Sequence, residues 1–431
     1  MLERYFGLRE HDTTVRTEVL AGCTTFLTMA YIMFVNPDIL SQAGMDKGAV
    51  FVATCVASAL ATGIMALYAN YPLALAPGMG LNAFFTFGVV MGMHYTWQVA
   101  LGAVFISGVL FFILSVTKVR EWVVDAIPQS QKLAISAGIG MFLALIALHI
   151  SGVVVKSDAT MVSLGAIGSK ETLLAIGGFF VMIALDRLKV PGAIIIAILA
   201  TTAAAIAVGV SKFGGIVSMP PSLAPTFLQL DLIGALNTGA ITIIFVFFFV
   251  DLFDNTGTLV GVAQRAGLIG TDGKIPRLGK VFMADSTATI AGSLLGTSTV
   301  TSYIESAAGV RAGGRTGLVG LVVAILFLLS LFLSPLAGAV PACATAPALL
   351  FVGCLMARGI ADLDWDDVTE YVPAMVTALA MPFTFSIANG IALGFVTFAA
   401  VKLLSGRFSE AKPAVLVLAV LFVIRFAVLP Q

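Results

Sequence analysis

Apolar runs of about twenty residues follow one another from residue 18 to residue 429, parted only by short polar connections. Wound as helices, runs of this length match the thickness of a bilayer. Lipid offers no partner to an exposed peptide group, so a bundle of helices is what such a chain can form. Composition agrees. Of the 431 residues 59% are hydrophobic and 11% charged, where a soluble domain carries about 25% charged residues. The formal net charge of +0 gives no footing for a nucleic-acid partner, and the 43 glycines suit close helix packing in lipid. The chain reads as an all-α polytopic membrane protein embedded in a lipid bilayer, with no soluble domain.

Residues 1–17 carry scattered charges and no short apolar core with a cleavage site, so they read as a cytosolic lead-in rather than a signal peptide. Spans are predicted over 18–35, 49–69, 73–92, 97–117, 132–150, 171–187 and 190–210. A connecting segment, 211–235, contains Pro220, Pro221 and Pro225. Further spans are predicted over 236–256, 283–296, 298–311, 316–336 and 341–358. The run 371–404 is too long for one span and is expected to break at Pro382 and at Asn389-Gly390, before a last run at 414–429. This gives about fourteen helices.

With the N-terminus cytoplasmic, Arg and Lys gather on the inner side. Arg4, Arg9 and Arg16 fall there, and so do Lys118, Lys132, Arg187, Arg265, Lys280, Arg311 and Arg358. The outer loops hold Lys47, Lys156, Lys170 and Lys212. Two halves, 18–210 and 236–431, then have opposite orientation, a seven-plus-seven inverted repeat of the kind secondary transporters use. In a bacterium the address is the inner (plasma) membrane.

Two segments in corresponding places resist continuous helix. The third, PLALAPGMGLNAFFTFG, contains Pro77, Gly78, Gly80 and Asn82; the tenth begins with a hydroxyl- and β-branched-rich run from Thr297 to Tyr303. Extended backbone at membrane depth is tolerated only where it is buried in protein or lines a cavity. Two broken helices meeting at the midplane would make a binding site, with helix N-termini and free amides after Gly80 and after Tyr303.

Acidic residues fall in the same regions. FVFFFVDLFDNTGT, 245–258, places Asp251 and Asp254 in a strongly apolar run, and Glu305 sits in TSYIESAAG. An acid near the bilayer centre costs roughly 2.5–3.5 kcal/mol, so these side chains should face a cavity, substrate or ion. Asp254 has an alternative role as a helix cap or a partner of Thr256 and Thr258.

Together APGMGLNAFF, FVDLFDNTGTL and TSYIESAAGVRAGGRTGL, in this order and spacing, resemble the AzgA-like branch of the nucleobase/ascorbate transporter superfamily, the permeases for hypoxanthine, guanine and adenine. The resemblance implies a core domain, helices one to four and eight to eleven, moving against a gate domain of the remaining helices. It also implies proton-coupled uptake of a purine base. Asn82 corresponds to the asparagine of the third-segment motif, Asp251 and Asp254 to the two acids of the eighth helix, and Glu305 to the substrate-binding polar residue of the tenth segment. Many such relatives are dimers, so a homodimer is a further expectation.

The chemistry suits that cargo. A neutral purine carries N–H donors and carbonyl or ring-nitrogen acceptors. Glu305 and Asp251 can accept from the donors, while Asn82 and backbone amides can serve the acceptors. Phe84, Phe248 and Tyr303 are candidates to stack on the base, with core packing as the alternative. Glu305, Asp251 or Asp254 would carry the coupling proton. The proton gradient is then the driving force, and no cofactor is needed.

The chain has no GxxxxGK[ST], and GTST at 296–299 lacks a well-placed histidine, so an enzyme is not expected. His94 and His149 read as loop and helix-end residues rather than metal ligands. The four cysteines, without CxxC spacing, read as packing residues. The competing readings are an anion carrier of the sulfate-transporter kind, which three acids oppose, and a uracil or xanthine transporter of the same architecture.

Overall fold

A computed structural model of the protein describes residues 2–117, 127–265 and 276–428. Among these residues, seven helices are long and apolar enough to cross a membrane: Val15–Gln42, Lys47–Ala69, Trp97–Val116, Gln129–Ile150, Gly317–Ala339, Ala342–Asp362 and Ile387–Leu404. Shorter or more polar helices complete the bundle, among them Lys170–Arg187, Ala193–Ala207, Thr238–Arg265, Leu278–Leu295, Val368–Phe383 and Pro413–Val428. One large apolar core runs through it, from Met29 to Phe422. Many exposed leucines, valines and isoleucines lie on the outer helix faces, as expected where lipid replaces water as the solvent.

Four short strands interrupt the helices: β1 Leu75–Pro77, β2 Val154–Ser157, β3 Met161–Leu164 and β4 Val300–Ser302. β2 and β3 form a hairpin in the connection after Gln129–Ile150, a region the hydropathy pattern left without secondary structure. β1 and β4 come from the third and tenth segments and pair antiparallel, Leu75 with Ser302, Ala76 with Thr301 and Pro77 with Val300. The expected breaks therefore exist, and they meet.

Proline and glycine explain the third-segment break. Pro77 has no amide hydrogen to give a ladder, and a Cβ on Gly78 would stand 2.5 Å from Thr301 Cγ2, so only glycine allows the strands to cross there. Helix resumes at Met79–Ala83 and continues as the wider π turns of Phe84–Gly92. After β4, helix resumes at Ser306–Arg311, with Glu305 at the cap position.

Several boundaries differ from the sequence reading: the first span, read as 18–35, reaches Gln42, the one read as 236–256 reaches Arg265, and the one read as 283–296 starts at Leu278. The run at 371–404 divides into Val368–Phe383 and Ile387–Leu404, but the break lies at 384–386 and Asn389-Gly390 sits inside the second helix. Ser386 Oγ accepts from the Asn389 amide at 3.3 Å and so starts that helix. Gly390 is there for close packing, since a Cβ would fall 2.2 Å from Met381 Cγ. The first span is also interrupted: Val15–Met29 ends at Ala30 and Ile32–Gln42 begins after Tyr31.

Candidate functional site

Paired strands only three residues long leave most of their peptide groups facing outward, and each such group needs a partner at this depth. Side chains from the surrounding helices supply them. Thr62 Oγ1 donates to the Leu75 carbonyl at 3.0 Å and accepts from the Leu75 amide at 2.9 Å. Thr289 Oγ1 lies 2.9 Å from the Val300 carbonyl, and the Ala74 amide donates to Ser306 Oγ at 3.0 Å. Backbone bonds extend the pairing at both ends, from Gly78 N to Thr299 O and from Tyr303 N to Ala74 O, each at 2.9 Å.

On the Thr238–Arg265 helix, Asp251 and Asn255 are one turn apart and both buried. Asn255 Nδ2 donates to Asp251 Oδ1 at 2.7 Å. The carbonyl end of the same amide accepts from Thr301 Oγ1 at 2.7 Å and from the Ser302 amide at 2.8 Å. Thr289 Oγ1 lies 3.4 Å from Asp251 Oδ2. Asp251 thus anchors the amide that grips β4. The side chain of Asp254 lies outside the described residues.

Glu305 follows β4 by three residues and bonds to a different span from this clamp. It is half-buried, and Tyr31 donates its hydroxyl hydrogen to Glu305 Oε1 at 2.6 Å. Tyr31 itself is buried, at the interruption of the first span. The Thr28 hydroxyl lies 3.5 Å from the Glu305 carbonyl oxygen. The Ser306, Ala307 and Ala308 amides close turns on the carbonyls of Tyr303, Ile304 and Glu305, which leaves the Ile304 and Glu305 amides outside that set of turns.

The other predicted residues divide. Tyr303 adjoins Glu305, and its hydroxyl donates to the Pro77 carbonyl at 2.6 Å, so it braces the two breaks against each other. Asn82 is fully buried. Its Oδ1 accepts from Ser298 Oγ, and its Nδ2 has no hydrogen-bond partner among the described residues. Phe84 packs edge-on against Phe247 with centroids 5.1 Å apart, and Phe248 against Phe111 at 5.9 Å; both rings are buried in the core. Glu305 and Tyr303 share the break in the tenth segment, while Asp251 reaches it through Asn255 and Thr289.

Two residues escaped the sequence reading. Asn255 was legible only as one polar letter in DNTGT, although its i, i+4 spacing from Asp251 placed the two on one helix face. Tyr31 lies 274 residues from Glu305, and nothing in FLTMAYIMF sets it apart from an interior aromatic.

Comparison with known proteins fits this architecture. The Permease family profile matches residues 16–393. The chain is 48% identical over 425 residues to the adenine permease AdeP of Escherichia coli, covering 99% of this chain and 96% of that one. It is 43% identical over 432 residues to the guanine/hypoxanthine permease PbuO of Bacillus subtilis, covering 98% and 100%. Among solved structures, the transmembrane domain of the cyanobacterial bicarbonate transporter BicA superposes with a TM-score of 0.66 at 17% identity, covering 88% of this chain and 96% of that one. At that identity the likeness is one of fold.

Proposed function

The chain belongs to the nucleobase/ascorbate transporter family, and from that membership we propose that it is a purine nucleobase permease. It takes up adenine, guanine or hypoxanthine across the membrane, driven by protons, as a core group of helices alternates against a gate group. The observation that carries this reading is Glu305, a half-buried carboxylate at the break after β4 with one oxygen engaged by Tyr31. A carboxylate there accepts an N–H of the base, and the Ile304 and Glu305 amides face the acceptor edge. Away from bulk water each such bond discriminates strongly against a ligand with the wrong edge.

Asp251 has a supporting part in this scheme. Through Asn255 it fixes the strand that precedes Glu305 by three residues. Of the three aromatic candidates, Tyr303 packs against the bound ring because it stands two residues from Glu305, while Phe84 and Phe248 serve the core. Proton coupling uses a carboxyl that is ionised in one state and protonated in another, and Glu305 fills that role. One charge crossing 100 mV is worth roughly 2.3 kcal/mol, about a fiftyfold gradient of a neutral solute. The N-terminus is cytoplasmic, and in a bacterium the protein resides in the inner membrane.

The test is uptake of radiolabelled adenine, guanine, hypoxanthine, uracil and sulfate into vesicles, with and without a proton uncoupler. The proposal expects accumulation of at least one purine, abolished by the uncoupler. Sulfate uptake with no base uptake would refute it.

A further inference from the structure

We infer that Tyr31 is a positioning residue for Glu305, holding the carboxylate in the one orientation that receives the transported base. The inference rests on the proposed substrate-binding part of Glu305. A glutamate has three side-chain torsions, and a half-buried one samples several rotamers unless something holds it. Helix does not hold Glu305: it stands at the cap of a six-residue helix and makes no side-chain capping bond. What holds it is the Tyr31 hydroxyl, 2.6 Å from Oε1, a short charge-assisted bond from a ring that is 1% exposed and cannot itself move aside.

The backbone around Tyr31 supports the assignment. The first span breaks at this residue, with Met33 N bonded to Ala30 O at 3.1 Å and Phe34 N to Tyr31 O at 3.0 Å in tight turns. These turns fix the Tyr31 backbone, and its phenol meets one carboxylate oxygen. With Oε1 engaged by Tyr31, Oε2 is the oxygen that receives the N–H of a base. The geometry also joins the first span to the tenth segment at the ligand itself, so any change in how these helices sit is felt at the binding carboxylate.

The experiment compares uptake kinetics per membrane-inserted protein for the wild-type chain, Tyr31→Phe, Glu305→Asp, the double variant and Thr28→Val, using radiolabelled adenine and hypoxanthine. Tyr31→Phe removes one oxygen and keeps the ring. It is expected to raise KM about tenfold with Vmax within about twofold, the scale of one hydrogen bond to a charged group. Glu305→Asp draws the carboxylate away from Tyr31, so adding Tyr31→Phe to it raises KM by less than about twofold more, because the partner is already lost. Thr28→Val, which removes a hydroxyl near the Glu305 backbone but not its carboxylate, leaves KM unchanged. An unchanged KM in Tyr31→Phe, a loss confined to Vmax, multiplying losses in the double variant, or failure of Tyr31→Phe to reach the membrane would each overturn the inference. Absence of base uptake by the wild-type chain would instead defeat the substrate reading on which it rests.

Discussion

Asn255 turns the two ends of its amide to opposite tasks: Nδ2 donates to Asp251 Oδ1 at 2.7 Å, and Oδ1 receives the Ser302 amide at 2.8 Å. Asn and Gln amides are the side chains that can donate at one end and accept at the other with fixed geometry. The acid in the middle of an apolar helix is therefore tied to an extended strand in another segment through the Asn255 amide, with Thr289 beside it. Removing Asp251 would leave the amide held only at its oxygen end, with its Nδ2 short of an acceptor.

Asn255→Ala leaves the Ser302 amide and the Asp251 carboxylate short of a partner. Each unsatisfied buried group costs about 1–3 kcal/mol, so purified Asn255→Ala should unfold at a clearly lower temperature than wild type. Uptake should fall more than tenfold, because the binding carboxylate of Glu305 follows β4 by three residues. Unchanged melting in detergent would show that the clamp is not needed to hold β4.

Asp38, buried after Pro37 in the Ile32–Gln42 helix, accepts from Thr345 Oγ1 at 2.7 Å and from Lys47 Nζ at 3.0 Å. Thr345 belongs to Ala342–Ala357, so this carboxylate bridges helices more than 300 residues apart in sequence. Thr345→Val should lower stability by about 1–3 kcal/mol. Lys47→Ala should cost about 0–1 kcal/mol, as expected of a pair whose lysine is more than a third exposed. Thermal melts of the two variants at low and high salt distinguish them, since only the lysine contribution is screened.

The Thr369 hydroxyl and amide, and after them Arg407, hold the Asp367 carboxyl down from its ordinary 3.8 to about 2. A carboxyl held below its unfolded value adds stability that is complete above about pH 4 and disappears as the pH falls toward 2. Asp367→Asn should therefore flatten the loss of stability across that window and leave melting at pH 7 to 3 far less pH-dependent at its acid end. Melting temperatures measured in half-unit pH steps check this; parallel curves for variant and wild type would contradict it.

Much of the architecture was legible because lipid enforces it. An apolar run of spanning length has few alternatives to helix, and the breaks at 75–77 and 300–302 were visible as Pro77 and Gly78 and as a run of Thr, Ser and Val. Glu305 stood out as an acid in an apolar setting. Interruption of the first span at Tyr31 left no trace in hydropathy, since MAYIMFV is apolar on either side of it. The β2–β3 hairpin was hidden for a related reason: its strands are four residues each, and Val153, Val154 and Val155 read equally well as the end of a span. Asn255 and Tyr31 gain their meaning from partners 47 and 274 residues away, a relation that no local pattern encodes. Asp251 and Glu305 looked alike in sequence, but one is fully buried beneath the strand and the other half-buried at its end.

The central claim is that the Glu305 carboxylate holds the base, and equilibrium binding of radiolabelled hypoxanthine or adenine to purified wild type and Glu305→Gln tests it most directly. Gln preserves the shape and one acceptor oxygen but removes the charge, so affinity should fall roughly tenfold to a hundredfold while the variant melts within a few degrees of wild type. Equal affinity in the two proteins would contradict the account.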